Sequence, residues 1–143
     1  MSEIVIDASA ALAFVLPSQS TAASRSFLAS HNSDSFIAPH IFTWEVANVL
    51  AHLGRRDRLL TVAFRRAMED IKALEIDIQP PTNADEVVLI AEQAMDLGLR
   101  AFDAAYLLLA IERPAALAAR DGRLLSVAKR FVPCIDLQGD NLT

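Results

Sequence analysis

The chain alternates short apolar runs with longer segments whose apolar residues recur at helical spacing. The short runs predict strands, since turn-forming residues bound them and β-branched or small apolar side chains fill them. The strand candidates are 3–7, 36–38, 76–78, 115–119 and 132–135. The helix candidates are 8–16, 18–31, 41–54, 60–74, 83–97, 101–113 and 121–130. Strands that alternate with helices favour an α/β fold, in which a parallel sheet carries helices on both faces.

Residues with strong positional preferences set the expected helix boundaries. The expected caps and stops are Ser18 or Ser20 before the second helix, Gly54 after the third, Thr82 or Asn83 before the fifth, and Gly98 after it. The pattern shows no internal repeat. We therefore expect one domain over residues 1–143, with a core at about 4–135 and a polar tail at 138–143.

Four acidic residues have notable places in this pattern. Asp7 closes the first strand, Asp121 follows the fourth strand, and Asp103 opens a helix. Glu45 lies in the first turns of the helix after the second strand. Ligands bind outside the carboxyl ends of the strands in such sheets. Three of the four acids fall at that edge or on helices that rise from it, so the sequence predicts an acidic crevice.

Each of these acids also has an ordinary structural explanation. Asp7 can cap the helix that follows it. Asp103 can interact with the positive end of its helix dipole, and Asp121 can be a turn residue. Glu45 differs from them, because it lies among apolar neighbours where a lone carboxylate needs a partner. Taken singly, none of the four identifies a site.

Together, four carboxylates in one crevice repel one another and raise their own pKa values unless a cation lies between them. Hard divalent ions such as Mg²⁺ take oxygen ligands, and the lack of histidine or cysteine in this set argues against zinc. A divalent ion can lower the pKa of a bound water and let that water attack phosphorus. The acids therefore point to metal-dependent phosphodiester hydrolysis.

Composition narrows the class of protein. Hydrophobic residues make up 53% and charged residues 22%, which argues against disorder. A membrane span of about 18 apolar residues in a row is absent, as is a signal peptide, so we expect a soluble cytoplasmic protein. The single cysteine, Cys134, agrees with a reducing compartment and is expected to be buried. The net charge of −5 is unusual for a nucleic-acid-binding protein, which normally has a basic surface.

Four segments around the acids resemble, in order and spacing, the motifs of PIN-domain ribonucleases, and especially the VapC toxins of bacterial toxin-antitoxin pairs. The segments are Val5-Ile6-Asp7-Ala8-Ser9-Ala10, Trp44-Glu45-Val46-Ala47-Asn48-Val49-Leu50, Phe102-Asp103-Ala104-Ala105-Tyr106 and Ala119-Arg120-Asp121-Gly122-Arg123-Leu124. The likeness runs from Ile4 to about Ile135, which is nearly the whole chain. Any one motif is weak, whereas all four in this order are a strong signal.

This resemblance implies a three-layer α/β/α sandwich with a parallel sheet of about five strands. It also implies that the four acids, Asp7, Glu45, Asp103 and Asp121, hold Mg²⁺ or Mn²⁺, and that the hydroxyl of Ser9 supports the site. The chain departs from the family at position 119, where alanine stands in place of the frequent Ser or Thr. A hydrogen bond that orients the last acid or the metal water is therefore expected to be missing.

The resemblance further implies partners. We expect an RNA substrate, a growth-inhibiting toxin activity, and a cognate VapB-like antitoxin that places a basic side chain among the acids. A homodimer is also expected, since apolar residues exceed half of the chain and the predicted helices at 41–53 and 59–74 carry them on more than one face.

Several other residues keep two interpretations. Asn48, one turn beyond Glu45, either orients that carboxylate as a supporting residue or is a buried amide bonded to backbone. Tyr106 is either a core or rim aromatic, which is the favoured interpretation, or a catalytic group. Five arginines either contact phosphate or cover a solvated helix surface, and these are Arg55, Arg56, Arg58, Arg65 and Arg66.

Two other functions stay open on the sequence alone. A PIN-like domain without catalysis can serve as a protein or RNA binding module. Ala119 favours this hypothesis, because a hydroxyl frequent in the family is missing there. The four intact acids favour the enzyme, because a module without chemistry has no evident use for carboxylates that repel one another. A phosphoacceptor receiver domain is a weaker alternative, since the chain lacks an evident lysine after a late strand.

Overall fold

Five parallel strands form the centre of the molecule, and the computed structural model describes residues 2–56, 61–81 and 83–139. The strands are β1 (Glu3–Ile6), β2 (Ser35–Ala38), β3 (Asp77–Ile78), β4 (Ala116–Ala119) and β5 (Cys134–Asp136). The helices are α1 (Ala8–Val15), α2 (Ala22–Ser30), α3 (Ile41–Arg56), α4 (Thr61–Ala73), α5 (Ala84–Leu97), α6 (Ala101–Glu112) and α7 (Gly122–Ala128), with a short 3-10 helix at Pro17–Gln19. The predicted parallel sheet is confirmed, and its strand order is β3-β2-β1-β4-β5.

Helices cover both faces of this sheet because successive connections run first towards one edge of the sheet and later towards the opposite edge. The chain moves outward from β1 through β2 to β3, returns to β4 beside β1, and continues to β5. Right-handed crossovers then place α1 to α4 on one face and α5 to α7 on the other. The packing agrees, since α1 contacts α2, α3 and α4, whereas α5 packs on α6 and α6 packs on β1 and β4. The α/β/α sandwich is therefore confirmed.

The hydrophobic core lies around the two central strands, β1 and β4. Val5, Ile6, Leu117 and Ala118 are fully buried there. Because helices cover these strands on both sides, both strands are nearly continuous apolar runs with no polar alternation. A carboxylate directly after either strand therefore lies beside the hydrophobic core, which excludes water.

The predicted cap of α2 was wrong. Thr21 caps this helix in place of Ser18 or Ser20. The Thr21 hydroxyl oxygen accepts the Ser24 N–H at 2.9 Å, and Ser24 Oγ accepts the Thr21 N–H at 2.9 Å. The Thr21 hydroxyl also donates to the Leu137 carbonyl at 2.8 Å. This distant contact, which a local pattern does not contain, selects the cap.

The predicted end of α3 at Gly54 was also wrong, since the helix continues to Arg56. A Cβ atom at Gly54 would lie 3.2 Å from the Phe64 ring. The glycine therefore permits close packing of α4 and does not mark a turn. Two sequence expectations, the helix residue Leu60 and the arginine Arg58, lie outside the described residues.

The predicted limits of α5 are confirmed. Asn83 caps the helix, and Gly98 ends it in the left-handed conformation with φ of 65°. The alternative cap Thr82 and the tail residues 140–143 lie outside the described part of the chain. Cys134 is only partly buried, which differs from the buried position expected for it. None of the helices described is long and apolar enough to cross a membrane.

Candidate active site

Two acids follow the central strands where the order of the sheet reverses. Asp7 comes directly after β1, and Asp121 comes shortly after β4. Connections leave these neighbouring strands in opposite directions, which opens a crevice at their carboxyl ends. Asp103 lies in the first turn of α6, and Glu45 lies on α3. Asp7 interacts electrostatically with Asp121 and Glu45, and Glu45 interacts with Asp103, so the structure gathers all four acids.

Asp7 is buried and caps α1, as its structural explanation predicted. Its carboxylate accepts the Ala10 N–H at 2.8 Å, and the Ser9 hydroxyl lies 2.7 and 2.8 Å from its two oxygens. Burial raises the pKa of Asp7 from 3.8 to about 7, with smaller contributions from the charges of Asp121 and Glu45. A helix cap does not require a carboxylate this costly to ionise, whereas a cation in the crevice would remove the cost.

Ser9 connects Asp7 to the loop that carries Asp121. The Ser9 oxygen accepts the backbone N–H of Arg120 at 2.9 Å, while its proton is available to Asp7. Ala119, where the chain departs from the motif, is fully buried at the end of β4. The Ser9 hydroxyl thus holds the backbone of Arg120, the residue after Ala119, by a hydrogen bond. The loop before Asp121 is therefore fixed although residue 119 has no hydroxyl.

Asp103 and Asp121 share one cation, Arg100. The Arg100 Nε donates to Asp103 at 3.2 Å, and Nη2 lies 3.4 Å from Asp103 and 3.5 Å from Asp121. Asp121 also caps α7, because its Oδ1 accepts the N–H groups of Arg123 at 2.9 Å and Leu124 at 3.4 Å. Sequence reasoning missed Arg100, although it stands only three residues before Asp103 in the chain.

Glu45 has the partner that its apolar setting demands. The Tyr106 hydroxyl donates to Glu45 Oε1 at 2.7 Å, and the Tyr106 ring is buried. Burial raises the pKa of Glu45, and the charges of Asp103 and Asp121 add to this effect. The expectation that Tyr106 is a core aromatic is confirmed, but its contact with an acid of the crevice was not foreseen.

The structure gives Asn48 neither of its expected surroundings. Asn48 is exposed, which contradicts a buried amide, and within the described residues its side chain makes no hydrogen bond to Glu45. No contact of Asn48 in the described part of the structure therefore supports the role predicted for it. Four arginines of the predicted basic group are exposed, and these are Arg55, Arg56, Arg65 and Arg66.

The donor set suits a hard divalent ion, since all four groups are carboxylates. In their present positions, no three metal-binding side chains among the described residues surround a common point. The Arg100 guanidinium instead contacts Asp103 and Asp121 and interacts electrostatically with Glu45. The chemistry of the four carboxylates therefore fits Mg²⁺ or Mn²⁺, and binding of such an ion requires these side chains to move closer to a common point.

The fold and the crevice together define an α/β/α protein with a candidate metal centre at the reversal point of its parallel sheet. A model of the PIN domain matches residues 4–130. The chain belongs to the PIN-domain family.

Relatives and solved structures agree with this assignment. A VapC ribonuclease of Mycobacterium bovis and the ribonuclease VapC9 of Mycobacterium tuberculosis are each 33% identical over 132 residues, which cover 91% of this chain and 94% of the relative. PAE2754 from Pyrobaculum aerophilum has a TM-score of 0.66 at 24% identity and covers 94% of this chain and 84% of its own. FitAcB from Neisseria gonorrhoeae has a TM-score of 0.61 at 18% identity, with coverage of 94% and 98%. At these identities, the two structures show a shared fold.

Proposed function

We propose that this chain is a metal-dependent endoribonuclease that hydrolyses RNA phosphodiester bonds with Mg²⁺ or Mn²⁺. The observation that carries the proposal is the convergence of four carboxylates, with Asp7 and Asp103 buried, on one crevice. Burial and mutual repulsion make such a group unfavourable unless a cation binds to it, and shifted pKa values of this kind cluster at functional sites. The relatives named as ribonucleases support RNA as the substrate.

The surrounding residues prepare the crevice for a cation. The residues that would hold the ion are Asp7, Glu45, Asp103 and Asp121. When bound, the ion supplies a water of lowered pKa and positive charge near the leaving oxygen. The Ser9 hydroxyl donates to the Asp7 carboxylate and the Tyr106 hydroxyl donates to Glu45, so each hydrogen bond restricts the orientation of one acid. Such support keeps acidic ligands in place before substrate arrives.

A cleavage assay tests the proposal. The purified chain is incubated with a pool of cellular RNA after treatment with EDTA, and Mn²⁺ or Mg²⁺ is then added back. We expect no cleavage in EDTA and internal cleavage, with discrete fragments, once the metal returns. RNA that stays intact at every metal concentration would leave a non-catalytic binding module as the better description.

Tyr106→Phe is expected to weaken Mn²⁺ binding roughly three- to tenfold while the fold persists. The phenylalanine ring keeps the buried packing of Tyr106 but removes the hydroxyl that donates to Glu45. Loss of a hydrogen bond to a charged group costs on the order of 1–3 kcal/mol, part of which appears in ligand binding. Calorimetric Mn²⁺ titration measures the affinity, and circular dichroism checks the fold. Wild-type Mn²⁺ affinity in this variant would remove Tyr106 from the support of the site.

We further propose that the chain is a cytoplasmic toxin silenced by an antitoxin of the VapB kind. The acidic crevice favours a partner that inserts a basic side chain, since an arginine can form bidentate bonds to carboxylates. Expression of the chain alone in its host should slow growth, and co-expression with the protein of the neighbouring gene should restore growth. Unimpaired growth without that neighbour would count against the toxin role.

A second copy of the chain is the proposed partner for its exposed apolar side chains. Helix α5 carries four of them, namely Val87, Val88, Leu89 and Met95. Exposed apolar groups in this density are typical of contact surfaces between proteins. A homodimer is the simplest closed assembly that would cover them.

A further inference from the structure

Arg100 is the one cationic side chain that contacts the acids of the crevice in the part of the chain that the structure describes. It is the residue before α6, and its extended backbone, with φ of −69° and ψ of 154°, leaves it outside the helix. From there its guanidinium reaches Asp103 through two nitrogens and Asp121 through one. One flexible side chain thus joins two of the four proposed metal ligands.

The two acids depend on Arg100 to different degrees. The Asp103 side chain is 4% exposed, and Arg100 is its hydrogen-bond partner among the described residues. The Asp121 side chain is 25% exposed and also has the backbone N–H groups of α7. Without a cation, Asp103 would be a buried carboxylate supported only by its position in the first turn of α6, which is unfavourable. Arg100 therefore stabilises the site when metal is absent.

The contact is also easy to break. Its distances of 3.2 to 3.5 Å exceed the roughly 2.7–2.9 Å of a strong charge-assisted hydrogen bond. The Arg100 side chain is 58% exposed, so the guanidinium itself returns to water at little cost, provided that another cation replaces it beside Asp103. Arg100 thus neutralises Asp103 and Asp121 without being locked to them.

We propose that Arg100 is an internal counter-cation that competes with the divalent ion for Asp103 and Asp121. This inference rests on the proposed function, because it needs the four acids to be metal ligands. The guanidinium occupies carboxylate oxygens that the ion would take, and two cations at contact distance from the same carboxylates repel each other. Metal binding therefore includes displacement of Arg100, and Arg100 lowers the apparent metal affinity while protecting the metal-free fold.

Arg100→Gln tests this competition by direct Mn²⁺ titration in a calorimeter. We expect Mn²⁺ to bind the variant about three- to tenfold more tightly than the wild type, since one competing positive charge is gone. The melting temperature without metal should fall, and the rise on adding Mn²⁺ should exceed that of the wild type. A purely structural arginine would instead weaken Mn²⁺ binding or leave it unchanged.

Two further variants sharpen the test. Lys129→Gln changes the net charge equally at an exposed position after α7 and should keep wild-type Mn²⁺ affinity. Arg100→Lys keeps the charge but loses the planar guanidinium, so its Mn²⁺ affinity should lie between those of the wild type and Arg100→Gln. This variant keeps the test valid if Arg100→Gln folds poorly. Equal Mn²⁺ affinity in Arg100→Gln, Lys129→Gln and wild type would overturn the competition.

The outcome can be separated from that of the proposed function. Tighter Mn²⁺ binding by Arg100→Gln, with no RNA cleavage by any variant, would support the competition and refute the nuclease. Absence of Mn²⁺ binding by both wild type and Arg100→Gln would overturn the competition together with the metal site.

Discussion

Asp103→Asn is expected to reduce the rate of RNA cleavage by at least about a hundredfold at saturating substrate, as removal of a charged metal ligand typically does. Asp103 lies almost completely buried in the first turn of α6 and faces the crevice that it shares with the other three acids. Asparagine has the same shape and keeps an oxygen for Arg100, but it lacks the charge that would hold the ion. The loss should therefore fall on metal affinity and cleavage rate, with the fold retained.

A matched control separates this effect from a general change in charge. Asp136 ends β5 at the same edge of the sheet, but its carboxylate is exposed and accepts hydrogen bonds from Gln138. Asp136→Asn should cleave RNA at nearly the wild-type rate. Single-turnover cleavage measures both variants, after circular dichroism has confirmed that they are folded. An Asp103→Asn protein with full activity would exclude this residue from the mechanism.

Asp7→Asn is expected to stabilise the metal-free protein at alkaline pH. The fold raises the pKa of Asp7 from 3.8 to about 7, chiefly through burial. The native state then holds a proton that the unfolded chain has released, so the wild type loses stability as the pH rises from about 4 to above 7. A shift of this size corresponds to at most about 4 kcal/mol, and we expect on the order of 1–3 kcal/mol. Asparagine does not ionise and escapes this loss.

Thermal unfolding at several pH values measures the effect. At pH 8.5 without metal, Asp7→Asn should melt several degrees above the wild type, since about 1 kcal/mol moves the melting temperature of a domain this size by a few degrees. At pH 4 the two proteins should melt at similar temperatures. Added Mn²⁺ should stabilise the wild type and leave the variant nearly unchanged. A wild type whose stability does not fall as the pH rises would exclude the raised pKa of Asp7, and a variant with the full response to Mn²⁺ would exclude Asp7 as a metal ligand.

The sequence predicts the fold well because its signals are local. Apolar runs such as Ile4-Val5-Ile6 and the glycine at position 98 determine strands and helix ends within a few residues. The prediction that Gly54 ends its helix was wrong because this glycine makes room for the Phe64 ring, which comes from a different helix. Thr21 was missed as a cap for a similar reason, since its hydroxyl also bonds to Leu137 far along the chain.

The site was predictable in its acids but not in their partners. Each acid carries a local signal, such as the strand that ends before Asp7. The contact between Tyr106 and Glu45 joins residues 61 positions apart, so it depends on the folded chain and not on a local pattern. The pairing of Arg100 with Asp103 could have been predicted, because the two residues are three positions apart. Its bond to Asp121 could not, because that contact depends on the fold.

We propose that the four carboxylates hold the ion that RNA cleavage requires. Parallel Mn²⁺ titrations of binding and of cleavage rate, on the same preparations of wild type and Asp103→Asn, test it most directly. We expect the midpoints of binding and cleavage to coincide in the wild type, and Asp103→Asn to shift both midpoints to higher Mn²⁺ by at least about tenfold. Cleavage by the wild type that persists in EDTA, or an Asp103→Asn protein that binds Mn²⁺ and cleaves RNA like the wild type, would contradict it.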